Sequence, residues 1–226
     1  DWSSDVCSSD LFVGAHGCIY HSPDGGSSWV EQDSKIEHLL SDVQFIDSRT
    51  GWATGIYGTI LHTADGGKNW DAQNSGTKRH LFGISFVDEE NGWAIGEWNT
   101  ILHTTDGGRT WQQQDEEQDR IYSDVHFVNP REGWVIGERG FIMHTSDAGK
   151  TWQRQMPESF ERATIEEQFE HPRPYLFGIY FADNSTGWIC GLEATILKTT
   201  DGGKTWKDLP SESEYALYSI SVKGDR

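Results

Sequence analysis

One short motif, repeated at a nearly fixed interval, constrains this chain more than any other feature. A Ser or Thr, any residue, Asp, Gly or Ala, Gly, two further residues and Trp run through Ser22–Trp29, Thr63–Trp70, Thr104–Trp111, Thr145–Trp152 and Thr199–Trp206. The closing tryptophans lie 41, 41, 41 and 54 residues apart. A period of about 40–45 residues marks a repeat architecture, and short strands within each period mark propeller blades. The expected fold is therefore all-β, a β-propeller of four-stranded antiparallel blades, with about five blades' worth of chain.

Each repeat has a second half. Gly51-Trp52-Ala53-Thr54-Gly55 recurs at Gly92–Gly96, Gly133–Gly137 and Gly187–Gly191. Apolar runs precede these segments at 43–46, 84–87, 125–128 and 179–182, and read as strand A. Strand B follows Gly-Trp. Strand C is Thr59-Ile60-Leu61-His62 and its counterparts, and strand D begins at Thr-Trp. No stretch carries a sustained helical period, apart from a turn or two near 161–170. The last segment, Leu217–Val222, reads as one more strand A, able to pair with strand B near Phe12.

Residues 1–11 can be encoded by a common short-read sequencing adapter, and are expected to be a non-native leader. The repeat phase agrees, because Gly14 and Ile19 sit one period before Gly55 and Ile60. The propeller is then 12–226, entered within strand B, with one long D–A insertion at 157–174.

In the turn, Asp24, Asp65, Asp106, Asp147 and Asp201 are expected to accept backbone N–H bonds, as Asx turns do. Gly occupies the second glycine position in every copy, whereas Ala148 replaces the first once. The second position should therefore need positive φ and the first should not. Each loop supplies a single carboxylate, too few oxygens for a calcium shell. His21, His62, His103 and His144 recur at one position, but the fifth copy is Lys198, so a structural or surface role is expected and no metal.

Composition bounds the partners. The formal charge is −18, which argues against nucleic acid and anionic membrane surfaces. Tryptophan is over-used, with 11 residues. Five close the Asp turns and four sit in Gly-Trp, so nine can cement blade to blade. The three cysteines have no metal or disulfide-framework spacing. No transmembrane run and no cofactor motif is present.

The Asp turn resembles the Asp-box, or BNR-like, repeat. Together with Gly-Trp-Ala-x-Gly and Thr-Ile-Leu-His-Thr, it is similar to the photosystem II stability and assembly factor family, from Phe12 to about Val222. That resemblance implies seven blades in the whole protein, an exported setting (periplasmic, lumenal or extracellular), an arginine-rich face, and a non-enzymatic chaperone that holds a protein client. Among the B–C loops here only Arg139 is basic in that sense.

A propeller places its C–D turns on one face and its B–C and D–A loops on the other. The Asp turns are nearly uniform, whereas the opposite loops differ from repeat to repeat. The expected partner site therefore comprises Tyr57, Trp98, Arg139 and Glu193, with the strand-A residues Asp42 and Asp124 at the channel mouth. This reading rests on the asymmetry between the faces and on aromatic and Arg anchors being common hot spots. No catalytic residue is expected. A sialidase needs an arginine triad that is missing, and Glu97, Glu138 and Glu193 repeat across blades as scaffold positions do. The alternative is a carbohydrate-active Asp-box propeller, sialidase- or glycosidase-like, or a lectin-like module. A protein or peptide partner is the main expectation, without nucleic acid or membrane insertion.

Overall fold

The structure, a computed structural model, describes residues 10–22, 24–114, 120–161 and 173–221. Within these, every regular element beyond single 3-10 turns is a β-strand. The chain forms two compact units, residues 1–118 and 119–226.

The first unit holds three antiparallel meanders. The first comprises β1 (Asp10–Val13), β2 (Ile19–Ser22) and β3 (Val30–Gln32). The second comprises β4 (Leu40–Phe45), β5 (Gly51–Gly55), β6 (Ile60–Thr63) and β7 (Asp71–Gln73), and the third β8 (Leu81–Phe86), β9 (Gly92–Gly96), β10 (Ile101–Thr104) and β11 (Gln112–Gln113). The second unit holds two more. One is β12 (Tyr122–Phe127), β13 (Gly133–Gly137), β14 (Phe141–Thr145) and β15 (Gln153–Gln155), and the other β16 (Leu176–Phe181), β17 (Gly187–Gly191), β18 (Ile196–Thr199) and β19 (Lys207–Asp208). These are β-propeller blades, the first entered at strand B as the repeat phase requires. Of the expected leader 1–11, residues 1–9 lie outside the described residues and Asp10 and Leu11 form part of β1; of the insertion 157–174, residues 162–172 lie outside them.

Strand A starts three residues earlier than its apolar run indicates. Its register shifts between Leu40 and Asp42, and likewise at Leu81/Gly83, Tyr122/Asp124 and Leu176/Gly178. A bulge inserts one extra residue and breaks the period-two alternation that would have announced the strand.

The blades are joined by aromatic stacking. In the first unit, Trp52 of β5 stacks on Phe86 of β8 at 3.5 Å, with ring planes 5° apart. Phe86 in turn meets Trp111 edge-on at 5.9 Å. The second unit repeats the arrangement with Trp134 on Phe181 at 3.5 Å and Phe181 against Trp206 at 5.9 Å. This explains the glycine of Gly-Trp. A Cβ on Gly92 would stand 2.4 Å from the Phe86 ring, its cross-strand neighbour.

A glutamine completes each joint. Gln73 Nε2 donates to Gly107 O at 2.8 Å, and its Oε1 accepts the Trp111 indole N–H at 3.3 Å. Gln32 does the same for Gly66 O and Trp70, and Gln155 for Gly202 O and Trp206. The recurrent histidines are cross-strand partners of the Gly-Trp indoles: His62 lies 5.0 Å from Trp52, His103 4.6 Å from Trp93 and His144 4.9 Å from Trp134. Lys198 preserves the contact as a cation over Trp188 at 5.1 Å. These three histidines and Lys198 pack on the indoles, whereas His21 faces Leu11 and Val30 in the first sheet, which has no Gly-Trp.

Three expectations need correction. The first glycine of the turn also has positive φ, as Gly66 (76°) and Gly202 (74°) show, and Ala148 adopts φ 67°. A carbonyl from the A–B turn pins this position, through Gly66 N to Arg49 O and Ala148 N to Arg131 O. What forbids a side chain at the second position is space. A Cβ on Gly67 would lie 2.0 Å from Gln32 Oε1, and one on Gly203 2.0 Å from Gln155 Oε1. Second, not all nine regular tryptophans are cemented. Trp29 is exposed and stacks on Phe12, having no glutamine partner of the kind that Trp70 finds in Gln32. Third, 217–221 is not a strand. Leu217 N donates to Gly191 O just as Leu40 N donates to Gly14 O, so the segment sits against its blade as a next strand A would. A ladder needs a second strand, and among the described residues none is registered against it.

These geometries separate two substitutions. Ala148→Gly relieves a left-handed residue and should gain up to about 1 kcal/mol. Gly203→Ala must strain the backbone and displace Gln155, and should lose more than about 2 kcal/mol. Urea unfolding of both variants tests this, and equal effects would contradict the clamp.

Candidate functional site

The B–C loops are built as type I′ turns. Strand B ends at Gly55, and Ile56-Tyr57-Gly58-Thr59 reverses the chain, with Thr59 N donating to Ile56 O at 3.3 Å. Thr59 Oγ1 donates to the same carbonyl at 2.8 Å, which accounts for the Thr that opens strand C. Such turns require positive φ at both central residues and favour Asn, Asp and Gly. The residues found first in each turn are instead His16, Tyr57, Trp98, Arg139 and Glu193, with φ between 54° and 60°. Large side chains in this region are outliers that persist only where the surroundings over-determine them. Tyr57 and Trp98 are 62% and 56% exposed, so burial does not compensate for the strain.

In the first unit the structure brings Tyr57 and Trp98 to one loop, the D–A connection before β8. Tyr57 N donates to His80 Nδ1 at 3.1 Å, and the phenol ring stands edge-on between His38 and His80, 5.4 Å from each. Arg79 Nη1 donates to Trp98 O, and His80 N donates to Glu97 Oε1 at 2.9 Å. Trp98, Arg79, Thr77, Asn99 and Gln113 line a groove of about 500 Å³. Lys78, Arg79 and His80 escaped the reading of the sequence, although three consecutive basic residues in so acidic a chain were a usable signal. The clamp glutamines were missed too, and their 41-residue spacing was the signal.

In the second unit Arg139 and Glu193 are exposed tips. Beside Arg139, Glu138 Oε2 accepts the Tyr175 hydroxyl at 3.1 Å. Next to Glu193, Ala194 N donates to Tyr215 O at 3.0 Å. Burial pushes the Cys190 thiol up to about 11, so it is no nucleophile.

Asp42 and Asp124 carry structure. Asp42 Oδ1 accepts Val43 N at 2.8 Å and Oδ2 accepts Ile84 N of the next blade at 2.9 Å. Asp124 does the same for Val125 and Ile179. Burial raises the Asp42 carboxyl above its usual range, against the two amide bonds that lower it. Two positions further along each strand, Gln44 Nε2 donates to Phe86 O at 3.1 Å, and His126 Nε2 bonds Phe181 O at 3.0 Å.

The five Asp turns close on themselves. Asp65 Oδ1 accepts Thr63 Oγ1 and Asn69 N, both at 2.9 Å, and Oδ2 accepts Asn69 Nδ2 at 2.7 Å. Thr63 Oγ1 accepts Gly67 N at 2.9 Å. Bonds from the Asn69 side chain and amide hold the Asp65 carboxyl down to about 2, and those from Thr110 do the same for Asp106. The aspartates therefore bind their own loops. Among the described residues no group of three or more His, Cys, Asp and Glu is arranged to hold a metal, and no helix is long and apolar enough to cross a membrane.

Acid sensitivity follows with a definite sign. Burial lowers His126 to about 4, so its contribution is present above the unfolded value near 6.5 and is lost as pH falls towards 4. The Asp turns contribute above the unfolded value of 3.8 and are lost as pH falls towards 2. Melting temperature against pH should fall in two stages. His126→Gln should flatten the upper stage, because a glutamine already makes the same bond at Gln44. A separate contrast concerns tryptophan: Trp98→Ala should leave the melting temperature nearly unchanged, while Trp70→Ala, at a site 1% exposed, should lose about 3–5 kcal/mol. Equal losses would place Trp98 in the core.

Comparison with known proteins agrees with this geometry. The family model for photosynthesis system II assembly factor YCF48 matches residues 27–80, 72–159 and 158–226. A photosystem II assembly lipoprotein Ycf48 of Prochlorococcus marinus is 43% identical over 51 residues, 21% of this chain and 15% of that protein. The photosystem II assembly protein Ycf48 of Thermosynechococcus vestitus is 38% identical over 48 residues, 20% of this chain and 14% of that protein. The aligned stretch is thus a small part of either relative. Among solved structures, YCF48 from Cyanidioschyzon merolae superposes with TM-score 0.69 at 20% identity, covering 95% of this chain and 71% of that one. An ancestral GH74 enzyme gives TM-score 0.67 at 14% identity, covering 91% and 30%. At such identities both structures show the fold alone.

Proposed function

This chain belongs to the photosynthesis system II assembly factor YCF48 family, and on that premise we propose that it is a non-catalytic propeller that holds a protein or peptide client through its B–C and D–A loops. The observation that carries the reading is the set of strained tips. Five equivalent left-handed positions hold His16, Tyr57, Trp98, Arg139 and Glu193, five different side chains on one repeated scaffold. Strain of roughly 1–3 kcal/mol per residue, without compensating burial at Tyr57 and Trp98, is the kind retained at binding sites.

Relatives named as photosystem II assembly lipoproteins support a photosystem II subunit as the client and an exported, membrane-facing setting. Each within its own unit, Asp42 and Asp124 fix adjoining strands A through their carboxylates, which supports a rigid base for the loops. A non-catalytic role is favoured by what the tip-adjacent carboxylates do. Glu97 accepts His80 N and Glu138 accepts the Tyr175 hydroxyl, each bound to a scaffold group.

The test is capture of photosystem II subunits from detergent-solubilised cyanobacterial membranes on immobilised protein. Wild type should retain a specific subunit, and Trp98→Ala and Arg139→Ala should each lose most of it without unfolding. Undiminished capture by both variants would overturn the assignment of the face.

A further inference from the structure

The loop between Tyr57 and Trp98 has a chemical bias that the partner-binding reading does not assign. Lys78-Arg79-His80 is the only run of three basic residues in a chain with 18 Lys and Arg against 36 Asp and Glu. All three lie between the two exposed aromatic tips, in the D–A connection that touches both. We propose that this strip binds an extended, acidic segment of the partner, with carboxylate side chains on Lys78, Arg79 and His80 and an apolar side chain against Trp98. The proposal rests on the partner-binding reading and adds the chemistry of the partner.

The hydrogen-bonding capacity left open here is chiefly that of donors. Arg79 has five N–H groups, and one of them meets Trp98 O. Arg79 lines the same groove as Trp98, where a carboxylate would meet the rest of the fork. His80 accepts the Tyr57 N–H at Nδ1, so in the neutral ring the proton sits on Nε2, a second donor. Lys78 adds an exposed ammonium. Three acceptors beside the strip are engaged: Asn99 O and Gln114 O each receive Gln113 Nε2 at 3.0 Å, and Glu97 Oε1 receives His80 N at 2.9 Å. Among the described residues, Glu97 is the acid bonded to the strip, and through that bond it helps fix the loop; in sequence the acidic run Asp115-Glu116-Glu117 follows the groove residue Gln114. A donor-rich strip flanked by two rings selects an acceptor-rich, partly apolar segment. The long-range field of the chain opposes an acidic ligand, so discrimination has to come from these short contacts, which salt screens less than the distant charges.

The experiment measures fluorescence anisotropy of three end-capped, neutrally labelled peptides against the whole chain. They alternate Leu with Glu, with Gln, or with Lys. The Glu peptide should bind at least about tenfold more tightly than the other two. Arg79→Gln and Trp98→Ala should each weaken it about tenfold or more, at unchanged melting temperature. Because Arg79 also holds the Trp98 carbonyl, Lys78→Gln serves as a second variant that leaves the tip intact, and should weaken the Glu peptide about threefold. Equal affinity for Glu and Gln peptides, or preference for Lys, would overturn the acidic-partner proposal; if that binding is still lost in Trp98→Ala, the binding face survives. Binding indifferent to Trp98 and Tyr57 would overturn both readings. No binding of any peptide would overturn the acidic-segment proposal, while subunit capture would judge the face independently.

Discussion

The rest of the structure depends on one recurrent joint, a tryptophan of one blade laid flat on a phenylalanine of the next. Trp52 on Phe86 and Trp134 on Phe181 sit at van der Waals contact, and the Asp-turn tryptophan closes the other edge of the same phenylalanine. Each buried indole removes roughly 150–250 Å² from water, worth on the order of 4–6 kcal/mol before entropy is counted. That is why a chain with 35% hydrophobic residues can hold several thin sheets together. The joint also fixes its own surroundings. It demands glycine opposite each phenylalanine, and it places the indole N–H where a glutamine from the preceding blade must accept it.

Much of this was legible because the repeat writes each constraint several times. The Asp turns, the Gly-Trp strands and the late entry into the first sheet all follow from spacing. What was not legible has physical causes. A bulge hid the start of every strand A, since two residues facing one partner erase the alternation that betrays a strand. The glutamines repeat as faithfully as the tryptophans, yet they are polar residues at a sheet edge, which read as solvated until a structure shows both ends of the amide in use. The first glycine of the turn misled for a related reason. Ala148 tolerates a left-handed backbone because a carbonyl pins its amide, so one substitution in five copies was evidence of tolerance rather than of a relaxed conformation.

The site was legible only in part. Exposure of Tyr57 and Trp98 could be anticipated from their break with the repeat. Their strained backbone could not, because the same turn position accepts five unlike residues and so leaves no composition signal. Asp42 and Asp124 illustrate the converse. Two acids at equivalent places suggested a channel mouth, and nothing in the sequence signalled that each carboxylate also spans to the amide of an adjoining strand A, at Ile84 and Ile179. At the matching position of the third and fifth blades stand Gly83 and Gly178, so the bridge alternates along the chain.

The two ends of the blades thus differ in how their polar groups are used. At the Asp turn the carboxylate and hydroxyl are satisfied within their own loop, and in the four later copies the left-handed amide is satisfied by the A–B turn beside it. At the opposite end the backbone of the I′ turn is satisfied by a threonine and a carbonyl, so closing the turn makes no demand on the tip side chain. A position that must be left-handed but need not be any particular residue is one where side chains can be exchanged at nearly constant stability. Surface chemistry can therefore differ from blade to blade while the joints stay fixed. That division, closed turns at one end and free side chains on a pinned backbone at the other, is what allows a uniform repeat to carry an individual surface.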